Sequence, residues 1–246
     1  MSGVVAADPT CGYADENAAR RALIETCLRF EPLGLNRGKS GNASLRWHRG
    51  AAEGMLITPS GLPYAQTGID DIAWVALEQD LGASDDDTVL APPARFDGSR
   101  APSSEWRMHR DLFLSHPEAG AVVHVHSPCA TSLACMPRIQ QEGIPAFHYM
   151  IAVAGGSDIR CAAYATFGSQ RLSQAAMAAL HGRRACLLAN HGQIAFGADL
   201  EAALALAMEV ETLSQQYWQA LQIGEPAILD EAEMARVMRA FTRYGR

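Results

Sequence analysis

Paired cysteines are missing from this chain. Its six cysteines (Cys11, Cys27, Cys129, Cys135, Cys161 and Cys186) are scattered, and no C-x-x-C pair occurs, so the sequence encodes no redox pair of that type. Four of them lie in apolar stretches, where cysteine behaves as a small hydrophobe. The first ten residues, MSGVVAADPT, lack the basic region and long apolar core of a secretory leader. No apolar run reaches the length of a membrane span. A soluble, reduced, cytoplasmic protein is therefore expected.

Positive charge is scarce as well. Twenty Lys and Arg face 27 Asp and Glu, a net charge of −7 with a pI near 5.6. That balance argues against nucleic acid or an anionic membrane as the main partner, since both reward a basic surface. It does not exclude a small anionic substrate, because a phosphate is held locally by backbone N–H groups and a few side chains. Internal repeats and long low-complexity tracts are also absent.

What is present suffices for a sizeable core. With 246 residues, 48% of them hydrophobic, one domain over 1–246 is expected, with 1–14 as a flexible extension. Helical spacing marks Asp15 to Phe30, and LGLNRGKSGN follows as a Gly-rich turn. Strand-like runs occur at Ala43–Trp47, Met55–Thr58 and Trp74–Leu77. Residues 83–101 read as an exposed loop or hairpin. A helix is expected to start at Pro102 and run to about Ser115, then the strand AVVHVH and a short helix capped by Ser127. Ser169–Leu180 is predicted helical, Ala185–Ala189 and Gln193–Phe196 extended, and Asp199–Leu221 and Asp230–Phe241 helical, with Asp199 as N-cap. Strands interleave with helices, which predicts a layered α/β domain.

His124 and His126 stand two apart on a predicted strand, so their side chains share a face. Their flanks (Ala121, Val122, Val123, Val125) read as buried, and two imidazoles on one buried face are poorly explained by packing. Spacing alone leaves open both a metal and a hydrogen-bonded pair. His191, in the turn Asn190-His191-Gly192 after an apolar strand, supplies a third donor, and three His with an open fourth position is a catalytic zinc arrangement. The other histidines have weaker claims: His109 as a structural partner one helical turn after Glu105, His48, His116 and His181 as solvated groups, and His148 as a pocket-lining residue. Glu105 itself could be an ordinary first-turn acid. The doublet Ser103-Ser104 beside it adds hydroxyls and free N–H groups, an anion pocket with a carboxylate close by. The turns Gly38-Lys39-Ser40-Gly41-Asn42 and Ser60-Gly61 offer further donors, although neither has the spacing of a Walker loop or a dinucleotide fingerprint.

Five motifs in order, GNAS (41–44), TPSG (58–61), PSSEWR (102–107), HVH (124–126) and NHG (190–192), resemble the class II aldolase/adducin family. The resemblance covers about residues 15 to 244, and 144–168 is most similar to the L-fuculose-1-phosphate aldolase branch. It implies an α/β fold on a largely antiparallel central sheet flanked by helices, assembled as a homotetramer with sites at subunit interfaces. It implies a Zn2+ ion, with Mn2+ or Co2+ as substitutes, on His124, His126, His191 and Glu105, the last also being the catalytic acid/base. Gly41, Asn42, Ser60, Gly61, Ser103 and Ser104 would hold a substrate phosphate. Tyr149 would move the proton on the aldehyde oxygen in a neighbouring subunit's site, and Phe167 and Tyr244 would line the aldehyde side.

The implied reaction is reversible cleavage of a ketose 1-phosphate to dihydroxyacetone phosphate and an aldehyde. Pentulose-phosphate 4-epimerases and dehydratases or decarboxylases on the same scaffold are rivals, and a non-catalytic adducin-like module is a further alternative. Three departures from the fuculose branch bear on the aldehyde. Lys39 replaces a small hydroxyl residue in the phosphate loop. The segment before PSSE is longer by about a dozen residues. The tail ends two residues after Tyr244.

Overall fold

The computed structural model describes residues 12–79 and 91–241. Cys11, Tyr244, most of the expected N-terminal extension and the first part of the 83–101 segment lie outside the described residues.

The first helix, α1 (Glu16–Leu28), starts where Asp15 Oδ1 accepts the Ala18 N–H at 2.7 Å, a side-chain N-cap. Two strands, β1 (Asn42–Arg46) and β2 (Gly54–Ile57), form a hairpin, and β3 (Ala73–Ala76) extends it. Next come α2 (Trp106–Ser115), β4 (Ala121–Val125), α3 (Pro128–Ala134) and α4 (Pro137–Glu142). The short strands β5 (Ile144–Pro145) and β6 (Asp158–Ile159) pair only with each other, and β7 (Cys161–Ala162) joins the main sheet. The chain then runs through α5 (Gln170–Leu180), β8 (Ala185–Leu188), β9 (Gly192–Gly197), α6 (Leu200–Ile223) and α7 (Glu231–Phe241).

Strand order in the seven-stranded sheet is β3-β2-β1-β4-β9-β8-β7. Every adjacent pair is antiparallel except β7 with β8. The expected α/β layering and largely antiparallel sheet are both present. β4 is buried along its whole length because helices cover both faces of the sheet. Ala121, Val123 and Val125 pack into one core with Leu23 of α1, Leu133 of α3 and Leu204 of α6. Val122 points the other way, into a second core with Trp106, Leu112 and Phe113 of α2 and Leu172 of α5. The period-2 alternation of the strand thus separates two apolar layers. Among the described residues no helix is long and apolar enough to cross a membrane.

Two expectations about helix starts need correction. The helix expected from Pro102 begins only at Trp106. Pro102 instead forms an isolated bridge with Pro59, and Ser103 N–H donates to Thr58 O at 2.8 Å, so this stretch is held extended against the end of β2. Ser127 occupies the N-cap position of α3 but makes no side-chain cap. Its hydroxyl accepts from Gln193 Nε2 at 2.7 Å, while Glu211 of α6 accepts the Cys129 and Ala130 N–H groups at 2.8 and 2.9 Å. A carboxylate remote in sequence does the capping, invisible to a local rule.

Candidate metal centre

β4 runs between β1 and β9, and the face it shares with Val122 looks at the start of α2. His124 lies on that face and is fully buried; His126 follows just beyond the strand end. His124 Nδ1 donates to the Gln193 carbonyl on β9 at 2.8 Å, which leaves Nε2 turned to His126 and Glu105. The backbone N–H of His126 donates to Asn36 Oδ1 at 3.4 Å, tying the loop before β1 to the site.

His191 enters on the turn between β8 and β9. Asn190 takes a left-handed φ of 54°, which asparagine tolerates better than most residues, and its Oδ1 accepts from Gln140 Nε2 at 2.9 Å. The three imidazole centroids are 4.8 to 5.0 Å apart, and one ligand nitrogen from each lies within 4.8 Å of the others. Glu105, at the N-cap of α2, closes the fourth side.

The donor spacing can be tested against a metal. Zinc with ligands at about 2.0–2.1 Å in a tetrahedron holds its donor atoms roughly 3.3 Å apart. His124 Nε2 is 3.1 Å from His126 Nε2 and 3.1 Å from Glu105 Oε2, and His191 Nε2 is 3.3 Å from Glu105 Oε1. Glu105 Oε1 is buried with no hydrogen-bond donor among the described residues, an expensive arrangement for a carboxylate oxygen unless a cation serves it. The residues fit a divalent transition metal.

For two of the three imidazoles the electrostatics point the same way. Burial, reinforced by the charge on His124, pushes His126 down to about 4 and His191 down to about 3, so both are neutral imidazoles near pH 7, the ligating form. Burial alone would raise Glu105, but His124, then His191 and the Asn42 amide, outweigh it and hold the carboxyl below the usual carboxylate range. Burial likewise opposes the charged form of His124, and Glu105 overcomes it in the upward direction.

Outside the triad, a cleft of about 390 Å3 opens from Glu105, His126 and His191. Lys39, Gly41, Asn42, Ser60, Gly61, Ser103, Ser104 and Phe167, all singled out in the sequence, line it. Gly41, with φ of 84°, presses on β4: a Cβ there would lie 2.7 Å from His124 O, so only glycine brings the loop this close. Sequence reasoning offered Ser40 as a loop donor and Asn190 as part of the NHG turn, and it missed Pro59, Ala165 and Tyr164 as lining residues. Tyr164 was legible, being a second aromatic three residues before Phe167; it is 62% exposed and lines the same cleft as His126 and His191.

The expectations for His148 and His116 change, and that for Tyr149, which placed it in a neighbouring subunit's site, does not. Tyr149 does not line this chain's cleft; it is 51% exposed and stacks on Phe241, with centroids 6.3 Å apart. His148 does not line the cleft either, and its Nδ1 accepts the Met150 N–H at 3.2 Å. His116 is half-buried against Phe196 rather than solvated. His109 is the structural group expected of it, fully buried.

The profile of the class II aldolase and adducin N-terminal domain matches residues 21–218. The chain belongs to the class II aldolase/adducin family. It is 49% identical over 228 residues, 93% of each chain, to the 5-methylthioribulose-1-phosphate/5-deoxyribulose-1-phosphate aldolase of Rhodospirillum rubrum. It is 41% identical to the L-fuculose phosphate aldolase of Escherichia coli K12, covering 94% of this chain and 97% of that one. A solved L-fuculose 1-phosphate aldolase superposes with a TM-score of 0.78 at 35% identity, covering 91% and 95%. The largely antiparallel sheet is thus that of the class II aldolase fold, and this chain is an aldehyde-lyase.

Proposed function

We propose that this aldolase uses one zinc ion per subunit to cleave a ketose 1-phosphate into dihydroxyacetone phosphate and a small aldehyde with an apolar tail. The observation that supports it best is the buried, otherwise orphaned Glu105 carboxylate oxygen facing three convergent imidazoles beside a cleft. His124, His126, His191 and Glu105 would hold the metal, which when bound supplies Lewis-acid stabilisation of charge developing on the ketone and hydroxyl oxygens.

The rest of the work falls to side chains and backbone. Gly41, Ser60, Gly61, Ser103 and Ser104 bind the phosphate away from the reacting bond and so contribute orientation. The Asn42 amide is turned to Glu105 and stands at the seam between phosphate site and metal site. Lys39, the sole lysine of the sequence, adds a point charge at the cleft mouth. As the C3–C4 bond breaks, Tyr149 of a neighbouring subunit relays the C4 hydroxyl proton to solvent, and Glu105, having taken up a proton from solvent, delivers it to C3. That role for Tyr149 requires an oligomer, a homotetramer on the family pattern, in a cytoplasmic protein with the chain as one catalytic domain.

Tyr164 and Phe167 expose aromatic surface at the cleft, which favours an aldehyde ending in a methyl or thioether group. The 49% identical relative is named for substrates of that kind. A panel comparing 5-deoxyribulose 1-phosphate, 5-methylthioribulose 1-phosphate and L-fuculose 1-phosphate, with dihydroxyacetone phosphate detected enzymatically, tests the reading. Turnover of none of the three, with zinc bound stoichiometrically, would overturn it in favour of an epimerase or dehydratase.

A further inference from the structure

A line of four polar side chains runs from the core to the metal centre. Asn42 and Ser44 stand two apart on β1 and face α2. His109 lies one helical turn after Glu105, so both project from the same side of α2. The imidazole of His109 is fully buried between the two strand residues: Nδ1 is 2.7 Å from Ser44 Oγ, and Nε2 meets Asn42 Oδ1. Asn42 Nδ2 in turn donates to Glu105 Oε2 at 2.9 Å.

The direction of each bond follows from the last. A Glu105 carboxylate accepts only, so Asn42 must present its NH2 to it. Asn42 Oδ1 then faces His109 and must accept, which places the ring proton on Nε2. His109 Nδ1 is left as an acceptor and takes the Ser44 hydroxyl proton. Reversing the amide would set Asn42 Oδ1 against the carboxylate. The ring stays neutral because burial pushes it down to about 3, so it offers one donor and one acceptor, as the line needs. Ser44, His109 and Asn42 are each at most 4% exposed, so these bonds lie in a low-dielectric interior that strengthens them.

We propose that His109 is a positioning residue for the reaction: by fixing the Asn42 amide it aims a hydrogen bond at Glu105 and holds that carboxylate at the metal site. This rests on the aldolase reading above, in which Glu105 binds metal and moves the proton. Neither Ser44 nor His109 lines the cleft, so their hydrogen-bonded route to the chemistry runs through Asn42.

The test uses the zinc-loaded enzyme and three variants, His109→Leu, His109→Gln and Asn42→Ala, plus the Asn42→Ala/His109→Leu double variant. Zinc affinity is measured by chelator competition, proton chemistry by solvent exchange of the dihydroxyacetone phosphate C3 proton, and folding by thermal melting. His109→Leu is expected to weaken zinc binding and slow exchange by about 10–10²-fold, the usual scale for losing a group that orients a metal ligand. Gln can donate to Asn42 and accept from Ser44, so His109→Gln recovers most of both losses. The double variant is no worse than Asn42→Ala, because the two residues act in series. If His109→Leu does not fold, His109→Asn, polar but too short to reach Asn42, replaces it with the same expectations.

Additive losses in the double variant, or a His109→Gln enzyme as defective as His109→Leu, would overturn the proposal. So would wild-type zinc affinity and exchange in a folded His109→Leu enzyme. Failure of the underlying aldolase reading looks different: the wild-type enzyme itself would then exchange no proton.

Discussion

Gly192 lies against His126 so closely that a Cβ on it would sit 3.0 Å from His126 Cδ2 and 2.5 Å from Val125 O. The turn that delivers His191 and the strand that delivers His126 are thus fitted to each other through a missing side chain. Gly192→Ala is expected to push them apart. Overpacking of this kind costs about 1–3 kcal/mol, and the metal site should loosen with it. Melting temperature and zinc content should fall together; a stable variant with stoichiometric zinc would show that the turn can yield without disturbing the ligands.

Removing a ligand should act more sharply. His126→Ala leaves His124, His191 and Glu105 in place but breaks the convergence of donors. Metal and activity are expected to be lost together, while Glu105→Gln keeps the fold and loses at least about 10²-fold in proton transfer. Metal analysis and solvent exchange of the dihydroxyacetone phosphate proton read the two effects separately. Stoichiometric zinc in His126→Ala contradicts the ligand assignment.

These residues were legible in the sequence because the chemistry is dense there. The i, i+2 histidines needed only the strand period, and the NHG turn needed only its position after an apolar run. The layered fold followed from interleaved strand and helix patterns. What the sequence hid was long-range pairing. Glu211 caps α3 from a helix 81 and 82 residues away in the chain, and Pro102 pairs with Pro59, which delays the start of α2 to Trp106. The Gln193 carbonyl that orients His124 is backbone, and no side-chain pattern announces it. Strands of two residues, such as β5 and β6, are too short to show a period.

Acid sensitivity should trace in part to Glu16. Its carboxylate accepts from Arg49 Nε and Nη2 at 2.9 and 2.7 Å and from Arg20 Nε and Nη2 at 3.0 and 2.6 Å, joining α1 to the β1–β2 hairpin. Hydrogen bonding to Arg49, then to Arg20, lowers the carboxyl below its ordinary 4.5 against the effect of burial. A lowered folded-state value means that the stabilisation is fully present above about 4.5 and is lost as pH falls through the folded value. Denaturant titrations of Glu16→Gln and the native sequence should therefore differ near neutrality and converge as pH falls through the lowered folded-state value. A gap that widens on acidification would reverse the sign assigned to the pair.

Lys39 lies at the cleft with no other lysine in the chain to replace it. Lys39→Ala is expected to raise KM for the sugar phosphate with little change in kcat, the pattern of binding lost equally from ground and transition states. The effect should shrink at high salt, because screening already weakens an exposed contact there. Steady-state kinetics at two ionic strengths decide it, and an unchanged KM at low salt means that Lys39 points to solvent.

Tyr149 stands apart from the other catalytic candidates in a way that permits a decisive experiment. It is 51% exposed, stacks on Phe241 of α7 and does not line the cleft that holds Glu105. If it serves the site of a neighbour, a subunit defective in Tyr149 and a subunit defective in Glu105 carry complementary lesions. Tyr149→Phe and Glu105→Gln homo-oligomers should each be nearly inactive. Unfolded together and refolded as an equal mixture in a cyclic oligomer, a site is complete when a subunit with intact Glu105 meets a neighbour with intact Tyr149. Random assembly gives that pairing at about one site in four, so roughly a quarter of the wild-type rate is expected. Mixing without refolding should give nothing. No recovery in the refolded mixture, with native-sized oligomers confirmed by light scattering, would place Tyr149 outside the reaction or confine it to its own subunit.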